Sequence, residues 1–201
     1  MNHLVFYLAR KMSNQDLTTI LDNIWKHLIQ SIDDLANPWR LPAIGTQGTN
    51  GPTVRTMVLR SVDLQKRTLS VYTDIRSEKI PNFRKDPRIA LLFYNDKTKQ
   101  QVRAHGRSTI QHNNKTTELA WNKIELKNQY DYSAILPPGS KINPPSINQI
   151  DKINLTNAYL NFAIIECNIT KIDWLQLSSN GHNRALFNWS GDTSIKNWAT
   201  P

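Results

Sequence analysis

The sequence predicts an α+β fold built around an antiparallel sheet. One N-terminal stretch shows helical periodicity, roughly seven later stretches have strand-like patterns, and short turn signals separate those strands. A sheet of this size closes into a barrel or packs as a sandwich. The length of 201 residues indicates one domain with a helical extension. We therefore divide the chain into a tail and helix over 1–37 and a sheet domain over 38–201.

The helix is expected over residues 14–35, where apolar side chains recur at helical spacing. Ser13 and Asp16 form a variant of the capping box at its start. Asn37-Pro38 is expected to end it, because a residue that precedes proline is pushed out of the α region.

The remaining elements follow from shorter patterns. Strands are expected over 40–46, 52–62, 68–73, 89–94, 101–110, 160–169 and 172–177, followed by the stretch 185–189 and a short tail. Asn50-Gly51 indicates a hairpin between the first two strands. Further helices are expected over 76–85 and 115–126, and a proline-rich irregular loop over 136–147.

Composition and charge narrow the functional classes. The net charge of +9 fits a solvated basic surface, a site for a phosphorylated ligand or a nucleic-acid patch, and charge alone does not choose among them. The single cysteine, Cys167, lies in an apolar run and indicates a buried thiol in a reducing compartment, here the cytoplasm. No Cys/His pattern predicts a metal site. The apolar N-terminal stretch is too short to span a membrane and lacks signal-peptide features, so Met12 is an alternative start.

The most informative stretch is Tyr72 to Lys79. A strand is expected to end at Thr73 and a helix to begin after Ser77, which can serve as the N-cap. Arg76, Ser77 and Lys79 lie beside that start, where free amides and the helix dipole favour an anion. Three or four charge-assisted hydrogen bonds of about 1.5–3 kcal/mol each would anchor a phosphate. The alternative is a capped helix with solvated charges.

A second stretch, from Arg55 to Arg60, places two arginines in an otherwise apolar strand. A buried arginine is costly unless it has a partner or a ligand. In a regular strand, residues five apart point to opposite faces, so Arg55 and Arg60 would serve different parts of a pocket unless a bulge intervenes. The alternative is an edge strand with solvated arginines.

Together these stretches resemble the pyridoxamine 5′-phosphate oxidase family over about residues 38–189. The resemblance is also carried by Gln101-Val102-Arg103, Gly106, Trp174 and Arg184. It implies a split β-barrel, FMN as the cofactor and a homodimer with FMN at the subunit interface. It also implies an FMN-dependent oxidoreductase of oxidase type that acts on a small-molecule substrate, with no nucleic-acid or membrane partner.

The resemblance assigns roles to individual positions. Arg55 and Lys79 match phosphate-binding positions. The flavin-lining positions correspond to Thr56, Met57, Val58, Leu59, Tyr72 and Thr73. The partner chain would contribute Gln101, Trp174 and Arg184. Arg60 and His182 match substrate-side positions.

The departures from the family pattern concern mainly the substrate. Glu78 stands where the family has an arginine, and Arg76 is a candidate to supply the missing charge. The family's arginine-containing substrate motif is replaced over 130–139, and Asn180 replaces a second substrate-side arginine. The flavin site is thus largely kept and the vitamin B6 phosphate site altered, as in the broader branch of the family.

Two other functions stay open at this point. One is a flavin carrier or sensor without turnover. The other is a basic barrel that binds nucleic acid, against which the strands show no repeated exposed aromatic set of the kind that stacks bases.

Overall fold

The computed structural model describes residues 17–142 and 155–201, and its described part is an antiparallel nine-stranded sheet with helices packed against it. The α+β prediction is therefore confirmed. The strands are β1 (Ala43–Gly48), β2 (Gly51–Thr56), β3 (Leu59–Asp63), β4 (Thr68–Asp74), β5 (Arg88–Asn95), β6 (Gln100–His112), β7 (Phe162–Gln176), β8 (Asn183–Ser190) and β9 (Thr193–Ala199). The helices are α1 (17–30), α2 (Lys79–Lys85), α3 (Lys115–Trp121), α4 (Leu126–Gln129) and α5 (Leu155–Asn161).

Strand β7 organises the sheet because its neighbour changes along its length. The strand order is β2-β1-β5-β6-β7-β4-β3, with β8 and β9 branching from β7. β7 pairs with β6 throughout, with β4 over residues 162–168 and with β8 over 171–176. The β6 register shifts between His105 and Gly106. A Cβ atom on Gly106 would lie 2.0 Å from the Asn168 carbonyl oxygen, so only glycine fits there.

The hydrophobic core has a large and a small part. In the large part, α1 buries Leu17, Ile24, Trp25 and Leu28 against the sheet, as the helical spacing predicted. The small part is aromatic and packs α3 and α5 on β7 through Trp121, Phe162, Tyr72, Tyr132 and Tyr159. Cys167 is fully buried, as predicted, and burial raises the pKa of its thiol to about 12.

The helix predicted over 14–35 ends earlier, at residue 30. The Ser31 hydroxyl donates to the Leu28 carbonyl oxygen at 2.8 Å, and the Arg40 guanidinium donates to the carbonyls of Ser31 and Ile32. These side-chain hydrogen bonds pair backbone carbonyl groups at and beyond the last helical turn, which have no partner within the helix. Ser13 and Asp16, the predicted capping pair, lie outside the described residues.

Several predicted strand and helix boundaries are also wrong. The strand predicted over 52–62 is interrupted at Met57 and Val58, where the Met57 amide donates to the Pro42 carbonyl at 3.2 Å. The two strands predicted over 160–177 form the single strand β7. The helix predicted over 115–126 divides into α3 and α4.

The elements that were not predicted include α5, the edge strand β9 and two 3-10 helices, Pro38–Arg40 and Tyr130–Tyr132. Residues 136–142 are irregular, as predicted, and the rest of that loop lies outside the described residues. In the described ranges, no helix combines the length and apolar character that a membrane crossing requires.

Candidate functional site

A cavity of about 580 Å³ lies where β2, the start of β3, the end of β4 and the start of α2 meet. Nine of the predicted site residues line it: Arg55, Thr56, Met57, Val58, Arg60, Tyr72, Thr73, Ser77 and Lys79. Its remaining wall residues are Thr53, Glu78, Asn82, Pro138 and Gly139. Its volume is in the range of small-molecule and cofactor sites.

Arg55 enters the cavity from β2 and is held by hydroxyl groups. One Nη atom donates to the Thr46 hydroxyl and the other to the Thr53 hydroxyl, each at 2.6 Å. Thr46 and Thr53 are cross-strand partners in the β1–β2 hairpin. Within the described ranges, no carboxylate lies within ion-pair distance of Arg55. Burial lowers the pKa of Arg55, and the charge of Glu78 partly opposes this shift.

Lys79 enters the same cavity from the first turn of α2. Its Nζ donates to the hydroxyls of Thr73 and Ser77, both at 3.1 Å. Burial lowers the pKa of Lys79, the charge of Arg55 lowers it further, and Asp74 opposes both. In the part of the chain that the structure describes, Lys79 also has no carboxylate at ion-pair distance. Two half-buried cations that repel each other therefore share one end of the cavity.

Ser77 does not cap α2, which corrects the sequence prediction. The helix begins at Lys79, and its N-cap position is Glu78, whose side chain makes no capping bond. The Ser77 hydroxyl instead donates to the Asp74 carbonyl at 2.5 Å, and the Ser77 carbonyl accepts the Ile80 amide at 3.0 Å. The helix start is therefore one residue later than predicted, and Ser77 contributes its hydroxyl to the turn that precedes it.

Arg76, another predicted phosphate ligand, lies outside the cavity. Its Nε and Nη2 atoms bind the carboxylate of the buried Asp74 at 3.0 and 2.6 Å. Its guanidinium also donates to the backbone carbonyls of Ala134 and Ile135. Arg76 therefore does not replace, inside the cavity, the arginine that the family has at the position of Glu78.

Arg60 lies in the same cavity as Arg55 because the predicted strand is interrupted between them. Its guanidinium carbon is 5.7 Å from the centre of the Tyr72 ring, and that ring makes an edge contact with Phe162 at 5.0 Å. Burial raises the pKa of Tyr72, and the charge of Arg60 opposes the shift. Leu59, predicted to contact the flavin, is instead fully buried in the core.

The residues predicted to reach a neighbouring chain lie away from this cavity. Gln101 on β6 and Arg184 on β8 both stand opposite Leu175 of β7, so they share one face of the sheet. Trp174 points to the other face and is buried in the core. Their contribution to a second chain's site stays a prediction.

Arg184 belongs to an ion cluster with Asp173 and Arg103, which we call the Asp173 cluster. The Arg184 Nε and Nη2 atoms bind the Asp173 carboxylate at 3.0 and 2.8 Å, and Arg103 binds the same carboxylate. His182, the second substrate-side candidate, lies immediately before β8. Its Nδ1 atom accepts a hydrogen bond from the Ser178 amide at 3.1 Å. It does not line the cavity.

Three contributions to the site escaped the sequence analysis. Thr46 and Thr53 had no reliable signal, because a two-residue turn centred on Asn50-Gly51 would place Thr46 opposite Arg55, whereas the observed hairpin pairs Gly48 with Gly51 and Thr46 with Thr53. The pairing of Asp74 with Arg76 was detectable, because the two residues stand two positions apart. Asp86 and Arg88 have the same spacing and form the same carboxylate–guanidinium pair. The wall formed by Pro138 and Gly139 had no local signal, since it depends on where the distant loop packs.

Comparisons with known proteins agree with this fold. Residues 22–112 match the sequence model of the pyridoxamine 5′-phosphate oxidase, FMN-binding domain. The chain is 27% identical over 147 residues to pyridoxine/pyridoxamine 5′-phosphate oxidase 2 of Arabidopsis thaliana, a match that covers 68% of this chain and 73% of that protein.

Two solved structures show the same architecture. A pyridoxamine 5′-phosphate oxidase-related, FMN-binding protein from Nostoc punctiforme has a TM-score of 0.69 at 20% identity, covering 88% of this chain and 95% of that one. PhzG from Burkholderia lata, solved with tetrahydrophenazine-1-carboxylic acid, has a TM-score of 0.62 at 14% identity, covering 100% of this chain and 94% of that one. At these identities they show the fold alone, which is the predicted split β-barrel.

The fold is that of the split β-barrel proteins, and the sequence model that matches residues 22–112 is that of an FMN-binding domain. Within that class, the chain is similar to the pyridoxamine 5′-phosphate oxidase-like proteins, at a distance from the standard enzyme. The resemblance predicted from the sequence is thereby confirmed.

Proposed function

We propose that the chain binds FMN in this cavity and acts as an FMN-dependent oxidoreductase of oxidase type. The observation that carries the proposal is the pair of half-buried cations, Arg55 and Lys79, held by neutral groups at one end of the cavity. A phosphate monoester carries about −1.5 to −2 charges at neutral pH and would balance both cations. Residues 38–201 would form the FMN-binding domain, with the preceding helix as its extension.

The other cavity residues suit the rest of such a ligand. The hydroxyls of Thr73 and Ser77 lie beside Lys79 and can donate to phosphate oxygens. The flavin ring would lie along Thr56, Met57 and Val58, near Tyr72, as the family resemblance implies. We propose FMN rather than FAD because the sequence contains no dinucleotide-binding fingerprint.

The chain's own residues would bind and orient rather than transfer protons. Bound FMN would supply the redox chemistry, by accepting a hydride from a substrate carbon and passing the electrons to oxygen. Arg60, with its guanidinium over Tyr72, would orient an anionic or aromatic small molecule. Pyridoxamine 5′-phosphate should be a poor substrate, because the family's arginine-containing motif is replaced and His182 lies outside the cavity.

We further propose that the protein works as a cytoplasmic homodimer. The family resemblance implies that Gln101, Trp174 and Arg184 of one subunit complete the flavin site of the other. Light scattering of the flavin-loaded protein tests this proposal. A monomer that holds FMN in a 1:1 ratio would contradict it.

The visible spectrum of the purified protein tests the proposed cofactor. We expect flavin absorbance, and we expect chromatography of the denatured protein to release FMN and no FAD. If the protein is colourless as isolated, the same test is made by titration with FMN. A protein that neither contains nor takes up FMN would overturn the proposal.

One observation favours the alternative of a flavin carrier or sensor. Of the two substrate-side candidates, Arg60 alone lines the cavity. Hydrogen peroxide release from FMN-loaded protein with a panel of amine and aromatic donors separates the two functions. Flavin binding without turnover of any donor would favour the carrier.

A further inference from the structure

Arg76 connects two segments of the chain that are far apart in sequence. Its guanidinium binds the Asp74 carboxylate through Nε and Nη2, and its backbone amide donates to the same carboxylate at 2.8 Å. The remaining donors reach across to another segment. Nη2 donates to the Ala134 carbonyl at 3.0 Å and Nη1 to the Ile135 carbonyl at 3.4 Å.

The segment that Arg76 holds continues directly into the cavity wall. Ala134 is buried beside Arg76, and Pro138 and Gly139 line the cavity four and five residues later. Between them the chain turns at Pro137, whose carbonyl accepts the Ser140 amide at 3.2 Å and the Ser140 hydroxyl at 2.7 Å. We call residues 134–139 the wall loop.

The beginning of the wall loop has a second anchor, whereas its far end has none of comparable strength within the described residues. Tyr132 packs edge-on against Phe162 at 5.1 Å, and its carbonyl accepts the Asn161 side-chain amide at 2.8 Å. Beyond Ala134, the side chains of Ile135 and Leu136 are exposed. The Arg76 bonds are thus the last side-chain contacts that fix the loop before it reaches the cavity.

We propose that Arg76 is a positioning residue that fixes the wall loop, so that Pro138 and Gly139 form one side of the ligand cavity. The inference rests on the proposed function only for the identity of the ligand. It connects Arg76, which was the predicted substitute for the arginine missing at Glu78, with the replaced motif over 130–139, because these two segments contact each other.

The chemistry of this contact requires arginine. A planar guanidinium has five N–H donors in its plane, so one edge can bind a carboxylate while the remaining N–H groups reach two carbonyls. Asp74 is 7% exposed and holds the guanidinium in one orientation. A lysine ammonium could stay paired with Asp74, but it could not span the carboxylate and both carbonyls at once.

The test compares Arg76→Ala and Arg76→Lys with the matched control Arg88→Ala. Arg88 binds Asp86 with the same two-residue spacing, at 2.9 and 2.5 Å, but its side chain is exposed and makes no bond to the wall loop. Amide hydrogen exchange is measured by NMR at Ser133 and Ser140. This measurement needs no ligand, so it stands even if the protein binds no flavin.

We expect exchange at Ser140 to rise about tenfold in both Arg76 variants, because the loop loses its backbone hydrogen bonds to the guanidinium. The Arg88→Ala variant should exchange like the wild type. Unchanged exchange in Arg76→Lys would overturn the proposal. That variant keeps a charge beside Asp74, so it decides the matter if Arg76→Ala does not fold.

The wall itself is tested in the flavin-loaded protein by iodide quenching of flavin fluorescence. Arg76→Lys should make the bound flavin about twofold more accessible to iodide, because Pro138 and Gly139 no longer cover the cavity. Faster amide exchange together with unchanged quenching would show that the loop is held by Arg76 but forms no wall, which would also overturn the proposal.

Discussion

Two regions of this molecule differ in whether their positively charged side chains are paired with a carboxylate. In the Asp173 cluster, two arginines share one buried carboxylate, so their charge is partly neutralised within the chain. At the cavity, Arg55 and Lys79 are held only by hydroxyls and a carbonyl. Both regions orient their cations by hydrogen bonds, but within the described residues the two cavity cations have no carboxylate at ion-pair distance.

The difference indicates that the two regions have different roles. A buried carboxylate between arginines fixes local structure, and the loss of one member leaves uncompensated charge. Half-buried cations without a carboxylate cost desolvation energy that only a bound anion recovers. We therefore expect the Asp173 cluster to respond to mutation in stability and the cavity cations to respond in ligand affinity.

The largest expected effect is that of Asp173→Asn on stability. Asp173 is 3% exposed, and its substitution would leave two adjacent guanidiniums without their shared anion. We expect the free energy of unfolding to fall by about 2–3 kcal/mol, at the lower end for a buried pair because both arginines are partly exposed. Urea denaturation measures this change.

The pH dependence provides the control for this prediction. Burial raises the pKa of Asp173, but the hydrogen bonds and charges of Arg184 and Arg103 outweigh it, so the pKa lies below its ordinary value. A carboxylate with a lowered folded-state pKa stabilises the fold above its unfolded pKa and loses this contribution as the pH falls below about 4. Asp173→Asn should lack that component. Equal acid sensitivity in both proteins would contradict the assignment.

The second effect concerns Arg55→Ala and its affinity for FMN. Loss of the charge-assisted bonds to phosphate should weaken binding by about 2 kcal/mol, or roughly thirtyfold. Fluorescence titration with FMN measures the dissociation constant. Arg88→Ala is the matched control, because Arg88 is exposed and paired with Asp86. Equal affinity in Arg55→Ala and wild type would show that the phosphate lies elsewhere.

The same comparison explains how much of the site was predictable. Arg55 and Lys79 were identified from their local patterns as well as through the family resemblance, but their lack of carboxylate partners depends on distant segments and has no local signal. Arg76 was predicted to bind the phosphate because the sequence shows the charge of its side chain but not the orientation of that side chain. Its actual partner, Asp74, stands two residues away. A short-range pair thus competes with a ligand for the same arginine.

The fold shows a similar limit. α1 was predicted from periodicity, since its apolar residues repeat on one side, and β5 was predicted from its continuous apolar run. β9 was missed because it is an edge strand with few buried side chains and therefore no apolar alternation. The interruption at Met57 and Val58 was missed because the local run is uniformly apolar. It depends on the hydrogen bond from the Met57 amide to Pro42.

A third, smaller effect is the pH dependence of FMN affinity through Lys79. Burial and the charge of Arg55 lower the pKa of Lys79 in the free protein. A bound phosphate favours the charged ammonium and raises that pKa again, so affinity should fall as the pH rises through the free-protein value. We therefore expect a gradual loss of affinity as the pH rises toward the ordinary lysine value of about 10.4. Lys79→Arg, which stays charged, should bind with little pH dependence in this range.

The smallest expected effect concerns Glu78→Gln. Glu78 lines the cavity, and its charge acts on Arg55, but the side chain is exposed. Removal of an exposed negative charge near a phosphate should strengthen FMN binding by about two- to threefold, since solvent screens the repulsion. The gain should disappear at about 1 M salt. Arg76 provides no competing charge, because it is bound to Asp74. Glu78→Gln with unchanged affinity at low salt would place the phosphate away from the Arg55 and Lys79 end of the cavity.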